Sequence, residues 1–105
     1  HILYVVYERE SIMRKNSYGE VVRSGRISET DYEIAEVRDA LGRVGYHVSL
    51  THKDAHKFLD AGFKNLGRHG FGVNGTIDDC MVFIDGTIGK FEGFITQKLR
   101  GETTL

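Results

Sequence analysis

Two adjacent carboxylates, Asp78 and Asp79, are the residues whose type and spacing first suggest chemistry in this chain. An apolar run at residues 81–84 follows them and leads to a turn dipeptide at 85–86, so the segment 75–95 is predicted to form a β-hairpin. A carboxylate pair at the mouth of a buried hairpin can hold a divalent cation such as Mg²⁺ or Mn²⁺. The pair is also compatible with the solvated start of a strand, and the sequence leaves both interpretations open.

Three features of the segment 28–98 carry a resemblance to a known family. They are an acidic residue on a short predicted helix, a Gly-Tyr-x-Val strand, and a Gly-x-x-Asp sequence before an apolar strand that ends in glycine; the positions are Glu33 or Glu36, residues 45–48, residues 75–78 and Gly86. With these features the segment resembles the VRR-type domain of the restriction-endonuclease-like (PD-(D/E)xK) nuclease superfamily.

The resemblance implies a metal-dependent nuclease that uses Mg²⁺ or Mn²⁺. In that interpretation Asp79 is the principal metal ligand, and the remaining site residues are Asp78 or Glu92 beside it and Lys98 or Lys90 near the attacking water. The chain departs from the acidic-x-Lys half of the family pattern, because Phe94 stands two residues after Glu92 and Thr96 stands two residues before Lys98. A metal here lacks one anionic ligand and the water lacks its orienting cation. The sequence therefore favours a chain that is not an enzyme and that uses no cofactor.

Charged residues on two predicted helices form the second group of candidates. A row of cations falls at helical spacing opposite the apolar face of the second helix and is followed by a histidine; its members are Lys53, Lys57, Lys64, Arg68 and His69. The first predicted helix carries mainly acidic residues, of which Glu33 and Glu36 are the candidates for contact with a partner. Such faces bind an acidic protein surface or a phosphate backbone, and they also suit the ordinary solvated side of an amphipathic helix.

Histidine offers a further pattern. His52 and His56 are four residues apart on the predicted second helix, a spacing at which two imidazoles can share one metal ion. The motif lacks the glutamate that a zinc protease places next to the first histidine. A polar helix start explains both residues without a metal.

The predicted elements that position these residues alternate along one domain, residues 1–105. They are a strand at 2–7, a loose segment with a weak strand at 18–23, a helix from the N-cap Ser28 to Gly45, a strand at 46–50, a helix from Thr51 to Gly67, a glycine-rich loop at 68–75 and the hairpin. The sequence thus predicts a small α+β sandwich with two helices on a mixed or antiparallel sheet and a C-terminal β-hairpin. Residues 1–27 supply the N-terminal strand and loose segment, and residues 28–98 supply the core. The predicted core residues are Leu41, Phe58, Val82 and Phe83.

Net charge and cysteine content bear on the partner and the cellular compartment. The 105 residues carry a formal net charge of −1, so bulk charge selects neither nucleic acid nor a membrane as the partner. The single cysteine, Cys80, excludes an internal disulfide and favours the cytoplasm. We therefore expect a small non-enzymatic interaction module, a regulator or inhibitor that binds a larger protein through charged helix faces. A nucleic-acid-binding domain and a divergent metal-dependent nuclease are the alternatives, and a dimer through the strand at 2–7 stays open.

Overall fold

The computed structural model describes residues 14–101. In chain order the elements are β1 (Glu20–Ile27), β2 (Thr30–Arg38), β3 (Val44–His52), α1 (Ala55–Asp60), β4 (Arg68–Val73) and α2 (Ile77–Leu99). The strands form one antiparallel sheet in the order β1-β2-β3-β4. The predicted α+β class, with two helices on an antiparallel sheet, is confirmed. The predicted strand at 2–7, and the dimer contact built on it, lie outside the described residues.

Tight turns with specific side-chain chemistry connect the first three strands. Ser28 begins the β1–β2 turn with a φ of 57°, and the flanking residues Ile27 and Thr30 form the closing pair of the ladder. In the β2–β3 turn the Asp39 carboxylate accepts hydrogen bonds from the backbone N–H groups of Leu41 and Arg43, both at 2.9 Å. An aspartate that binds backbone N–H groups in this way favours a turn over the continuation of a strand.

The sheet has two different faces because side chains alternate along each strand. On β2, Tyr32 and Ile34 point toward the helices and are buried, whereas Glu33 lies on the opposite face. The main core forms between the helix-facing side and α2, and its buried members are Tyr32, Ile34, Val48, Leu50, Val73, Cys80 and Ile84. Helix α1 packs beside the C-terminal half of α2 through a second cluster, which consists of Phe58, Leu66 and Ile95.

Helix α2 begins with a capping box. Thr76 Oγ1 accepts the Asp79 N–H at 3.1 Å, and the Asp79 carboxylate accepts the Thr76 N–H at 2.8 Å. These bonds satisfy two backbone donors that otherwise have no partner at a helix start. The apolar residues then recur every three or four positions toward the sheet, at Ile77, Cys80, Ile84, Ile88, Phe91 and Ile95.

Two element predictions were wrong. The segment predicted as the first helix contains strand β2, and Leu41 is 78% exposed in the turn after it. The segment predicted as the C-terminal hairpin is helix α2, which leaves Val82 and Phe83 on its outer side, 70% and 55% exposed. Both residues were expected in the core, where Phe58 alone of the four predicted core residues is buried. The central strand β2 pairs with β1 on one side and with β3 on the other. These pairings outweigh the coincidental helical spacing of its apolar residues.

The elements predicted for the middle of the chain were partly wrong. The second predicted helix is limited to α1, and its N-cap is Asp54 rather than Thr51, which belongs to β3. The glycine-rich loop at 68–75 contains strand β4, one of the two edge strands of the sheet. The strand predicted at 46–50 is confirmed as part of β3, and the weak strand at 18–23 overlaps β1.

Candidate functional site

A groove lies between the start of β4 and the C-terminal half of α2, with a cavity volume of about 290 Å³. Its walls come from the turn before β4, from β4 itself and from one side of the helix; they consist of Asn65, Gly67, Arg68, His69, Thr87, Lys90, Phe91, Phe94 and Ile95. Three residues of α2 form its apolar part: Phe91 and Ile95 lie toward the core, and Phe94 lies at the helix flank and is 53% exposed. The groove therefore offers aromatic surface that is accessible from solvent.

Aromatic and cationic groups lie close together here. The His69 ring centroid is 6.4 Å from that of Phe91 and 5.8 Å from that of Phe71. Lys98 does not line the groove, but its Nζ lies 5.4 Å from the centroid of the Phe94 ring, a cation–π distance. The groove thus combines ring faces with hydrogen-bonding and positively charged groups.

Arg68 and Lys90 supply the positive charge of the groove lining. Within residues 14–101, neither Arg68 nor Lys90 takes part in an ion pair. Lys53 differs, since its Nζ lies 3.3 Å from Glu29 Oε2 and 3.6 Å from Asp54 Oδ2. A cation without an intramolecular partner is available to a carboxylate or phosphate of another molecule.

The cationic row predicted on the second helix is not formed as predicted. Lys53 lies in the turn after β3, Lys57 on α1, Lys64 after α1, and Arg68 at the start of β4. Lys57 Nζ is 3.6 Å from Asp54 Oδ1, and the hydrogen bond to Glu29, together with the nearby Asp54, raises the pKa of Lys53. Lys53 and Lys57 are thus engaged within the fold. Only Arg68 and His69 of the predicted row reach the groove.

The acidic candidates Glu33 and Glu36 lie on strand β2 and not on a helix. Glu33 forms an ion pair with Arg14 and accepts a hydrogen bond from Asn16 Nδ2 at 3.1 Å. Glu36 Oε1 lies 3.2 Å from Arg38. The predicted acidic helix face is therefore wrong, because both residues lie on a strand. Each of the two carboxylates also has its own cation.

The nuclease residues do not meet in this structure. Asp79 and Glu92 lie on the same helix, thirteen residues apart, which is roughly 20 Å at 1.5 Å per residue. The Asp79 carboxylate caps α2, and Lys98 belongs to the last turn of that helix, so Asp79, Glu92 and Lys98 surround no common point. The family resemblance also relied on a helix that carries Glu33 or Glu36 and on a strand after residues 75–78. Those residues form β2 and the start of α2.

The two histidines of the predicted pair and the cysteine lie on three different elements. His52 is the last residue of β3 and is buried, whereas His56 is exposed on α1, so the predicted helical pair does not exist. Cys80 is fully buried in the core, and burial, followed by the charge of Asp79, raises the pKa of its thiol. A buried thiol of raised pKa is a poor nucleophile.

A larger cavity of about 620 Å³ lies at the other end of the sheet. The Tyr18 ring stacks on His47 there, with centroids 3.5 Å apart and planes 10° from parallel. Burial lowers the pKa of His47, so the neutral imidazole is favoured. The charged lining residues Asp39 and Arg43 pair with each other at 2.6 Å. Because these charges are already satisfied, this cavity is a weaker candidate for binding than the groove.

The sequence missed the groove because its parts were assigned to separate elements. Lys90, Phe91 and Phe94 were expected on a returning strand, and Arg68 and His69 on or after a helix. The repeat of apolar residues along α2 and the Thr-x-x-Asp box at residue 76 were the patterns that indicate the helix and thus the groove.

Comparison of the chain with protein-family models, curated proteins and solved structures gives no significant match. Among residues 14–101, no helix combines the length and the apolar character needed to cross a bilayer.

Proposed function

We propose that this chain is a small non-enzymatic interaction module, a regulator or inhibitor that binds a larger protein through the groove between β4 and α2. The observation that carries the proposal is the combination of accessible aromatic surface at Phe94 with Arg68 and Lys90, two cations that form no ion pair within the described residues 14–101. A free buried cysteine supports a cytoplasmic setting, which is part of the proposal.

The chemistry of the groove suits a particular kind of partner segment. An apolar side chain of the partner fills the space over Phe91 and Phe94, and a neighbouring carboxylate pairs with Lys90 or Arg68. Burial of an apolar anchor supplies most of the affinity, since aromatic pockets dominate binding energy at interfaces. The ion pair mainly sets orientation and the rate of association. The expected partner segment therefore carries an acidic residue beside a large apolar residue.

The test uses fluorescence anisotropy with short peptides in which Asp or Glu stands next to Phe, Leu or Trp. Lys90→Glu, Arg68→Glu and Phe94→Ser are each expected to weaken binding of the best peptide by about tenfold or more. Arg23→Glu is the matched control, because Arg23 is an exposed strand residue on the far edge of the sheet without an ion pair in the described part of the chain. Equal affinity of all four variants would place the binding surface elsewhere.

Nucleic acid is the second candidate ligand, and the same two cations of the groove favour it. Lys64 adds a third cation close to Arg68 in sequence, again without an ion pair within residues 14–101. Binding to a phosphate backbone weakens linearly with the logarithm of the salt concentration, whereas an apolar anchor depends little on salt. Titration with labelled single-stranded DNA and RNA at two salt concentrations separates the two ligand classes. Strong salt-dependent binding that Lys64→Ala reduces would favour nucleic acid over protein.

A further inference from the structure

Strand β4 has an open edge on the side away from β3. It is the last strand in the order β1-β2-β3-β4, and within residues 14–101 no strand or bridge pairs with its other side. The opposite edge of the sheet is partly occupied, because Lys15 forms a bridge with Glu20 and the Val21 N–H donates to the Arg14 carbonyl at 2.9 Å. An open strand edge is a template on which another extended chain can pair.

The ladder between β3 and β4 determines which backbone groups face outward at this edge. The His52 N–H donates to the Gly67 carbonyl at 2.8 Å, and in an antiparallel ladder such hydrogen-bonded pairs recur at every second residue. The next residues of β4 that pair with β3 in this way are His69, Phe71 and Val73. Gly70 and Gly72 lie between them, so their N–H and C=O groups point away from β3.

The outward backbone groups of Gly70 and Gly72 are accessible. Both residues are exposed, and neither makes a hydrogen bond to a turn, a helix cap or a side chain within residues 14–101. Neither glycine has a side chain that covers the edge. The two residues thus offer two N–H donors and two carbonyl acceptors at the alternate spacing that an added strand uses.

The groove opens beside this edge of β4. Its lining joins the turn before β4 and the start of β4 to the C-terminal half of α2, and it includes no residue of β3. Side chains of an added strand alternate between the two faces of the sheet. Those opposite His69 and Phe71 point to the face on which α2 packs, where Phe91 and Phe94 lie. One extended segment can therefore pair with β4 and also fill the groove.

We propose that the partner segment binds as an extended strand along the open edge of β4 and becomes the fifth strand of the sheet. This inference rests on the proposed function, since it specifies how the partner enters the groove. Main-chain hydrogen bonds to Gly70 and Gly72 supply affinity, and an apolar side chain in the groove supplies specificity. A carboxylate of the segment reaches Arg68 or Lys90, which form no ion pair within residues 14–101. The paired part of the segment contains no proline, because each of its inward N–H groups is a donor.

The first test modifies the peptide and leaves the protein unchanged. The probe is the tightest binder among the peptides that combine Asp or Glu with Phe, Leu or Trp, and it is N-methylated at one backbone amide at a time along its length. Methylation is expected to weaken binding by about tenfold or more at every second residue, because the methyl group removes a donor and collides with β4. Methylation of the amides between them is expected to be tolerated. Equal affinity of all methylated forms would overturn the proposal.

The second test changes the backbone of β4 at Gly72. Gly72→Pro removes the outward N–H but no hydrogen bond to β3, and proline is accepted at such positions of an edge strand. A Cβ at this position comes no closer than 3.9 Å to the Tyr46 carbonyl oxygen, so there is room for it. Gly72→Ala adds the same Cβ and retains the N–H. Gly72→Pro is expected to bind the peptide at least about tenfold more weakly than Gly72→Ala, and circular dichroism establishes that both are folded.

The outcomes separate this proposal from the proposed function. If Phe94→Ser weakens binding while the methylated peptides bind equally and Gly72→Pro matches Gly72→Ala, the groove remains the binding site and the added strand is overturned. If no peptide of the set binds, both are overturned. A dimer in light scattering that Gly72→Pro dissociates would overturn the proposal in favour of a second copy that pairs β4 with β4. The methylated peptides keep the test decisive even where Gly72→Pro fails to fold.

Discussion

The Thr30 hydroxyl donates a hydrogen bond of 2.6 Å to the Glu92 carboxylate, across 62 residues of chain. Thr30 is fully buried at the start of β2, and Glu92 lies on α2. Ser28 and the Glu29 N–H donate to the same carboxylate. One side chain thus joins the middle of the helix to the β1–β2 turn and satisfies three donors of that turn.

Replacement of Glu92 by alanine is expected to lower the free energy of unfolding by about 2–3 kcal/mol. The reason is that the buried Thr30 hydroxyl loses its charged acceptor, and a buried donor without a partner bears its desolvation cost. Urea denaturation measures the change, with Gln97→Ala as the control because Gln97 is exposed on the same helix. If the two variants are equally stable, the Glu92 contacts contribute nothing to the fold.

The same carboxylate is expected to make stability depend on pH. Burial by itself raises the pKa of Glu92, but the hydrogen bonds from Thr30, Ser28 and Glu29, with His52 nearby, together lower it below the usual value. A lowered pKa in the folded state gives stability that is present above the unfolded-state pKa of about 4.3 and is lost as the pH falls further.

Denaturation of the wild type and of Glu92→Gln between about pH 6 and pH 3 tests this dependence. The difference in the free energy of unfolding between the wild type and Glu92→Gln is expected to shrink below about pH 4. The difference is the informative quantity, because Asp31, whose pKa is lowered by the hydrogen bond with Arg26, titrates in both proteins. A constant difference across the range would contradict the lowered pKa of Glu92.

Gly89→Ala is expected to stabilise the protein by about 1 kcal/mol. Gly89 lies inside α2, a Cβ added there meets no atom within 4 Å, and alanine has the higher helix propensity. Gly67→Ala serves as the opposite case, since Gly67 has a φ of +86° and its Cβ would lie 3.1 Å from the Phe58 ring. Thermal melts of both variants are expected to shift in opposite directions; a loss of stability in Gly89→Ala would show that the outer side of α2 tolerates no side chain there.

The corrected orientation of α2 predicts unequal effects of two truncations. Ile84→Ala is expected to cost about 2–5 kcal/mol, because Ile84 is fully buried against the sheet. Val82→Ala is expected to stay within about 0.5 kcal/mol of the wild type, because Val82 is 70% exposed. Equilibrium denaturation of the pair decides between the helix and the hairpin predicted from sequence, in which Val82 belongs to the core.

The sequence allowed the α+β class and the strand around Val48 to be predicted, because Tyr46, Val48 and Leu50 alternate cleanly. It did not allow β2 to be predicted. Ile34, Val37 and Leu41 also match a helical period, and short segments can satisfy both periods. Pairing with β1 and β3 decides the outcome, and such long-range contacts have no local pattern.

The glycines of α2 explain why its helical pattern was overlooked. Gly86, Gly89 and Gly93 are unfavourable in a helix and typical of turns, and they interrupt the segment at regular intervals. All three lie on the outer side of the helix, where they interrupt none of the apolar contacts with the sheet. The contact of Glu29 with Lys53 was beyond sequence reasoning for a different reason, since the β2–β3 register brings the β1–β2 turn next to the end of β3.

The sequential order of the four strands has a kinetic consequence. Each strand pairs with its neighbour in the chain, so the sheet has low contact order and closes only small loops as it assembles. The contact between Thr30 and Glu92 closes a much longer loop, so docking of α2 is expected to follow pairing of β2 with β3. In stopped-flow experiments, Val48→Ala is therefore expected to slow folding, whereas Glu92→Ala mainly accelerates unfolding.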